Sequence, residues 1–149
     1  MSKVMELTKM IEDGDVSGVA EKLRTDPSLV TATTPDGDTV LHVACWQKQI
    51  AIIGIILAYH PDLNAHGCYG RTPLHYAVHE GRAISVPIVA VLMAMGADPC
   101  LRDDNGFSVE DWAKIEMHEG LADVLALLRG PPGTGQSTQL RKNSSNEST

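Results

Sequence analysis

The chain is 149 residues long, the length of one domain, and 43% hydrophobic but only 4% aromatic, so its core is built from Leu, Ile, Val, Ala and Met. A net charge of −7 without a block of Lys and Arg excludes direct binding to a nucleic-acid backbone or an anionic membrane. Cys45, Cys68 and Cys100 lie far apart with no Cys-x-x-Cys pair, which predicts free thiols in a reducing compartment.

The first helices are read from spacing. Val4, Leu7 and Ile11, then Val16, Val19, Ala20 and Leu23, recur every three or four residues and predict two helices with one apolar stripe each. Asp13-Gly14-Asp15 separates them, with Asp15 as the second N-cap, and Asp26-Pro27 begins the closing segment. Lys3, Glu6, Lys9, Glu12 and Glu21 face water.

Pro35-Asp36-Gly37-Asp38 is turn chemistry, and Thr39 caps the helix that opens with Val40-Leu41-His42-Val43-Ala44. His42 is expected to bond back toward the preceding turn. The next helix, 50–59, is apolar nearly all round, as for a helix held between neighbours, and Pro61 stops it. Gly70-Arg71-Thr72-Pro73-Leu74-His75-Tyr76-Ala77 then repeats the frame of Gly37 to Ala44 at a distance of 33 residues. The segment Arg82 to Val86 carries three extra residues, which either lengthen a loop or start the following helix early, with Pro87 in its first turns. Gly96 stands where a helix C-terminus needs a left-handed residue. Gly106-Phe107-Ser108-Val109-Glu110-Asp111-Trp112-Ala113 is a degraded third copy without the His, and Leu121, Val124, Leu125 and Leu128 form the last stripe.

A Gly-x-Thr-Pro-Leu-His-x-Ala frame at this period resembles the ankyrin repeat. The resemblance implies an all-α solenoid of stacked helix-turn-helix units joined by hairpin turns. Its parts are an N-terminal cap at 3–33, repeats at 34–66 and 67–102, and a C-terminal cap at 103–129. A Gly/Pro/Ser/Thr-rich tail at 130–149 is expected to be disordered. The resemblance further implies that the Thr and His of each frame tie successive turns together. It implies a partner protein held on the concave face, with no cofactor, no small-molecule substrate and no nucleic acid or membrane as partner. At the turn tips this assigns Pro35, Asp36, Asp38, Cys68, Tyr69, Arg71, Asp104, Asn105 and Phe107. On the first helices it assigns Trp46, Gln47, His79, Glu80, Ile115 and Glu116. Trp46, Tyr69 and Phe107 hold half of the six aromatic residues, and aromatics ringed by acids suit an apolar or basic element of a partner.

Asp36-Gly37-Asp38-Thr39 and Asp98-Pro99-x-Leu101-Arg102-Asp103 are similar to the inhibitor-of-κB subgroup, which implies an alternative, sequestration of a Rel-type transcription factor. In outline the chain is similar to short viral ankyrin proteins. Asn64 occupies the hairpin position that an asparaginyl hydroxylase can modify in ankyrin proteins.

Three patterns raise catalysis, metal or nucleotide chemistry. Gly130-Pro131-Pro132-Gly133-Thr134-Gly135-Gln136-Ser137 is similar to an ATPase phosphate loop, but Gln136 replaces the phosphate-binding Lys and the segment follows a helix where a strand is needed. His75 and His79 stand four apart on one expected helix without a third metal ligand. His66 near Cys68 and the pair Asp103-Asp104 read as solvated loop residues. No catalytic residue and no metal site are assigned. The charged N-terminus and the absence of an apolar run of about 20 residues predict a cytoplasmic protein, with the nucleus also open to it.

Overall fold

A computed structural model describes residues 2–130 as eight α-helices and two short 3-10 turns. The helices are α1 (Lys3–Asp13), α2 (Val16–Thr25), α3 (Val40–Trp46), α4 (Ile50–Leu57), α5 (Pro73–Val78), α6 (Ser85–Ala94), α7 (Val109–Glu116) and α8 (Leu121–Arg129). Helices α1, α3, α5 and α7 pack side by side as one layer, and α2, α4, α6 and α8 as a second. The core runs between the layers as one apolar cluster, with Leu7, Leu41, Ile53, Ile56, Leu74, Ile88 and Val124 among its members. The expected helical hairpins are present, and their second helices stop early for visible reasons. Helix α4 ends at Leu57, and His60 takes the left-handed φ of 55° just before Pro61. Helix α6 begins at Ser85, so the extra residues start a helix early and Pro87 lies in its first turn. It closes in a Schellman motif at Gly96, where Ala97 N–H reaches Leu92 O at 3.0 Å.

Helix α1 opens with a one-way cap, Ser2 accepting Met5 N–H, whereas α3, α5 and α7 each open with a reciprocal capping box. Thr39 Oγ1 accepts the His42 N–H while His42 Nδ1 accepts the Thr39 N–H, and Thr72 with His75 repeats the pair. The outer nitrogen of each ring then acts on the next turn. His42 Nε2 donates to Arg71 O at 2.8 Å, and His75 Nε2 donates to Phe107 O at 2.9 Å. The expectation that His42 bonds backward is therefore corrected: its inner nitrogen is consumed by its own cap, so only the outer one is free, and it points forward. This fixes the neutral Nε2–H tautomer, since Nδ1 must accept. Burial pushes the pKa of both rings below the ordinary histidine value.

In the third unit Ser108 and Asp111 rebuild the same capping box, but a carboxylate cannot donate onward. Helix α8 is clasped to α7 by Arg129, whose two nitrogens meet both oxygens of Glu110 at 3.2 and 2.8 Å. Cys45 lies fully buried in the core, and burial pushes its thiol up to about 12.

Candidate binding groove

The turn tips and the first-helix layer enclose an open groove of about 470 Å³. Its lining includes Met5, Thr8 and Glu12 from α1, Val43, Trp46 and Gln47 from the end of α3, and Tyr76 from α5. The tips contribute Pro35, Asp36 and Asp38 from the first turn and Cys68, Tyr69 and Arg71 from the second.

Periodicity explains which side chains face it. The variable residue between the His and Ala of the frame is Val43, Tyr76 and, in the degraded copy, Trp112. One turn later on the chain come Trp46, His79 and Ile115. Residues three apart share a helix face, so Val43 with Trp46 and Trp112 with Ile115 line up along one side of the layer, and His79, past the end of α5, meets the same row by stacking on Trp46. The rings touch in sequence. Phe107 lies 6.1 Å from Trp112, Trp112 6.2 Å from His79, His79 stacks on Trp46 at 4.1 Å, and Trp46 meets the edge of Tyr76 at 5.1 Å. Trp46, Tyr69, Phe107 and Ile115 are 41, 63, 40 and 62% exposed, so large apolar area stays in contact with water.

Several assigned residues also serve the fold. Asp38 Oδ1 accepts Cys68 N–H at 2.8 Å and the Tyr76 hydroxyl at 3.0 Å, which joins the first tip to the second. Burial, then the adjacent Asp38 carboxylate, pushes the Tyr76 phenol above its ordinary value. Tyr69 holds a left-handed backbone with φ 58°, and its carbonyl accepts Asp104 N–H at 2.9 Å. The following Gly70 also has positive φ, and a Cβ there would collide with the Asp104 carboxylate, so this tip needs glycine. Asn64 Oδ1 accepts Asp98 N–H at 2.8 Å, bridging two hairpins. Asp36, Asp104 and Asn105 are exposed at the tips, and Gln47 caps the end of α3.

Two expectations are corrected. His79 and Glu80 do not lie on a helix, because α5 ends at Val78; His79 is extended and Glu80 has φ 47°. Lys48 causes the diversion to be sealed: its Nζ donates to Tyr76 O at 3.0 Å and to His79 O at 2.8 Å, taking carbonyls that a longer helix would use. Lys48 itself sits at the left-handed C′ position of α3, φ 58°, where glycine is usual. Burial holds its ammonium below the ordinary lysine value. Consequently His75 and His79 do not share a helix face, and His79 instead lies 3.4 Å from Glu116, whose other contact is the Glu80 N–H at 3.0 Å.

Asp103, read as a solvated tip acid, is 6% exposed. Its Oδ1 accepts the N–H groups of Asn105 and Phe107 at 3.0 and 2.9 Å, and its Oδ2 the indole N–H of Trp112 at 2.8 Å. Burial pushes its pKa upward, but these three donors, Trp112 foremost, outweigh burial and hold the carboxyl below its ordinary value. Sequence reasoning missed Met5, Thr8 and Glu12 on the groove wall, and it missed Val43, Tyr76 and Trp112, of which the first two line the groove and the third joins the row of rings. For the last three the signal lay in the variable slot of the frame, which twice holds an aromatic.

A family model for three copies of the ankyrin repeat matches residues 7–103. The chain belongs to the ankyrin-repeat family. It is 35% identical over 92 residues to the ADP-ribosylation factor GTPase-activating protein AGD4 of Arabidopsis thaliana, covering 62% of this chain and 11% of that protein. It is 28% identical over 96 residues to human protein phosphatase 1 regulatory subunit 27, covering 64% and 60% of the two chains. With the mouse B-cell lymphoma 3 protein homolog it shares 34% over 89 residues, covering 56% and 19%. The chain thus spans about a tenth of the length of AGD4, and the likeness is to an ankyrin region within it. The ankyrin repeat is a protein-interaction fold, and among the described residues no helix is long and apolar enough to cross a membrane.

Proposed function

We propose that this ankyrin domain is a non-enzymatic binding module that holds a partner protein in the groove between the turn tips and the first helices. The observation that carries this reading is the run of touching rings from Phe107 through Trp112 and His79 to Trp46 and Tyr76, which leaves Phe107 and Trp46 exposed and ends in a groove that Trp46 and Tyr76 line together with Glu12 and Asp36. A stack of helices does not need large rings on its outer face, and such rings carry most of the energy in protein interfaces. The acidic rim favours a partner element that is apolar at its centre and basic around it. Asp36, Asp38, Trp46, Gln47, Tyr69, Arg71, His79, Glu80, Asp104, Asn105 and Phe107 form the contact surface. Asn64 is a separate proposal: its amide is tied to Asp98, so an asparaginyl hydroxylase would have to free the hairpin before modifying it.

The test is an affinity capture that compares wild type with the triple variant Trp46→Ala/Tyr69→Ala/Phe107→Ala, whose helicity is checked by circular dichroism. Loss of specific proteins by the folded variant supports the groove. Recovery of the same proteins by both moves the binding surface elsewhere. Appearance of a Rel-type factor among the lost proteins would select the inhibitor reading, sequestration of that factor.

A further inference from the structure

Arg71 lines the groove with a side chain only 20% exposed, yet nothing in the described residues uses its donors fully. The guanidinium carbon lies 5.1 Å from the centre of the Tyr69 ring and 4.8 Å from that of Trp112. Two aromatic surfaces therefore hold its plane by cation–π attraction. Its Nε is buried and has no hydrogen-bond partner among the described residues. The nearest carboxylate oxygen, Asp103 Oδ2, is 3.9 Å away, beyond hydrogen-bond range, and is already taken by the Trp112 indole.

The two terminal amino nitrogens make no hydrogen bond among the described residues and, unlike Nε, are not sealed from solvent. They belong to a side chain whose rotamer is already fixed, so little freedom remains to be lost when an acceptor arrives. We propose that Arg71 is a carboxylate-binding subsite, taking an aspartate or glutamate side chain of the partner segment as a two-bonded pair through its two terminal amino nitrogens. The subsite rests on the groove being the protein-binding surface.

The surroundings select a carboxylate over a phosphate. The guanidinium fork matches the planar, singly charged group. Asp36, Asp38, Asp103 and Asp104 surround the same tip, and repulsion from them grows with the charge of the incoming anion. The partner is therefore mixed in charge: basic residues opposite Glu12 and Asp36, an apolar residue on Trp46 and one acid on Arg71. A wholly basic segment would cover Arg71 with like charge and leave its terminal donors without an acceptor, which makes the site a filter against such segments.

The experiment uses the full chain and a positional-scanning library of synthetic dodecapeptides, each position in turn set to Asp, Glu, Asn, phosphoserine or Lys. Wild type is compared with Arg71→Gln, Arg71→Lys and Trp46→Ala, all shown by circular dichroism and thermal melting to be folded. The expected result is a preference of about tenfold or more for Asp or Glu over Asn at one position, equivalent to ~1.4 kcal/mol. Arg71→Gln should erase that preference while keeping affinity for the Asn peptide, and Arg71→Lys should retain part of it. A preference that survives in Arg71→Gln, a preference for phosphoserine, or selection without any acidic position overturns the subsite. In those cases weakening by Trp46→Ala leaves the groove reading standing. Selection indifferent to Trp46→Ala overturns the groove and the subsite together, and selection of no peptide overturns Arg71 as a site for linear segments.

Discussion

The central unit and the third unit begin with the same device and end differently. Thr72 and His75 close a capping box, and His75 then spends its second nitrogen on Phe107 O of the following turn. Ser108 and Asp111 close the same box, but both oxygens of Asp111 are acceptors, and Oδ2 instead lies 3.4 Å from the Arg102 amino group at the surface. Capping is thus local to a helix, whereas coupling between units requires a group that accepts on one side and donates on the other. Neutral imidazole does both. Carboxylate does only the first.

The comparison is broken most severely at His75. His75→Ala removes the cap acceptor and leaves Phe107 O and Thr72 N–H without their partner in a buried place, and it should cost about 2–4 kcal/mol in urea-denaturation stability. His42→Ala should follow closely. A cost below that of Asp111→Ala would show that the forward bond adds nothing. Lys48→Met tests coupling at the other end of the helices. It removes the bonds to Tyr76 O in α5 and to His79 O just past its end, and a loss of about 1–2 kcal/mol is expected.

Acid should separate the two units without mutation. Both ring pKa values are lowered in the folded state from 6.5, so below that value the unfolded chain takes up protons first. Stability is full above pH 6.5 and falls as pH drops toward the folded values, because a proton on Nδ1 expels the cap N–H. Melting temperature should decline between pH 7 and 5 in wild type and decline less in His42→Gln/His75→Gln, whose amides cannot titrate. Equal slopes would place the acid sensitivity elsewhere. The mildest change is Asp111→Ala, worth about 1 kcal/mol as a lost cap, with the forward bonds of His42 and His75 untouched.

The repeat layout was legible because a 33-residue period, capping residues and Gly96 each have one physical reading. Asp15 caps as expected, accepting Gly18 N–H at 2.9 Å. The groove was legible at its tips and less so on its wall. Tyr76 and Trp112 occupy a slot that the frame leaves free, so no motif marks them. Asp103 looked solvated because its acceptors are filled by Trp112, nine residues away, and by its own loop, which only folded geometry brings together. His79 misled for a related reason. Helix spacing continues past Val78 on paper, but Lys48, from the previous unit, holds the carbonyls that would extend α5.

The three thiols turn the same geometry into a built-in clock. Cys100 is exposed, Cys68 is half-buried at the second tip, and Cys45 is fully buried. Thiolate is the species that alkylating reagents attack, so Cys45 can be labelled only while the packing of the first full repeat is open. Labelling rates at Cys100 then report the reagent, those at Cys68 report the groove lip, and those at Cys45 report how often the stack comes apart. A bound partner should slow the second without having to change the third.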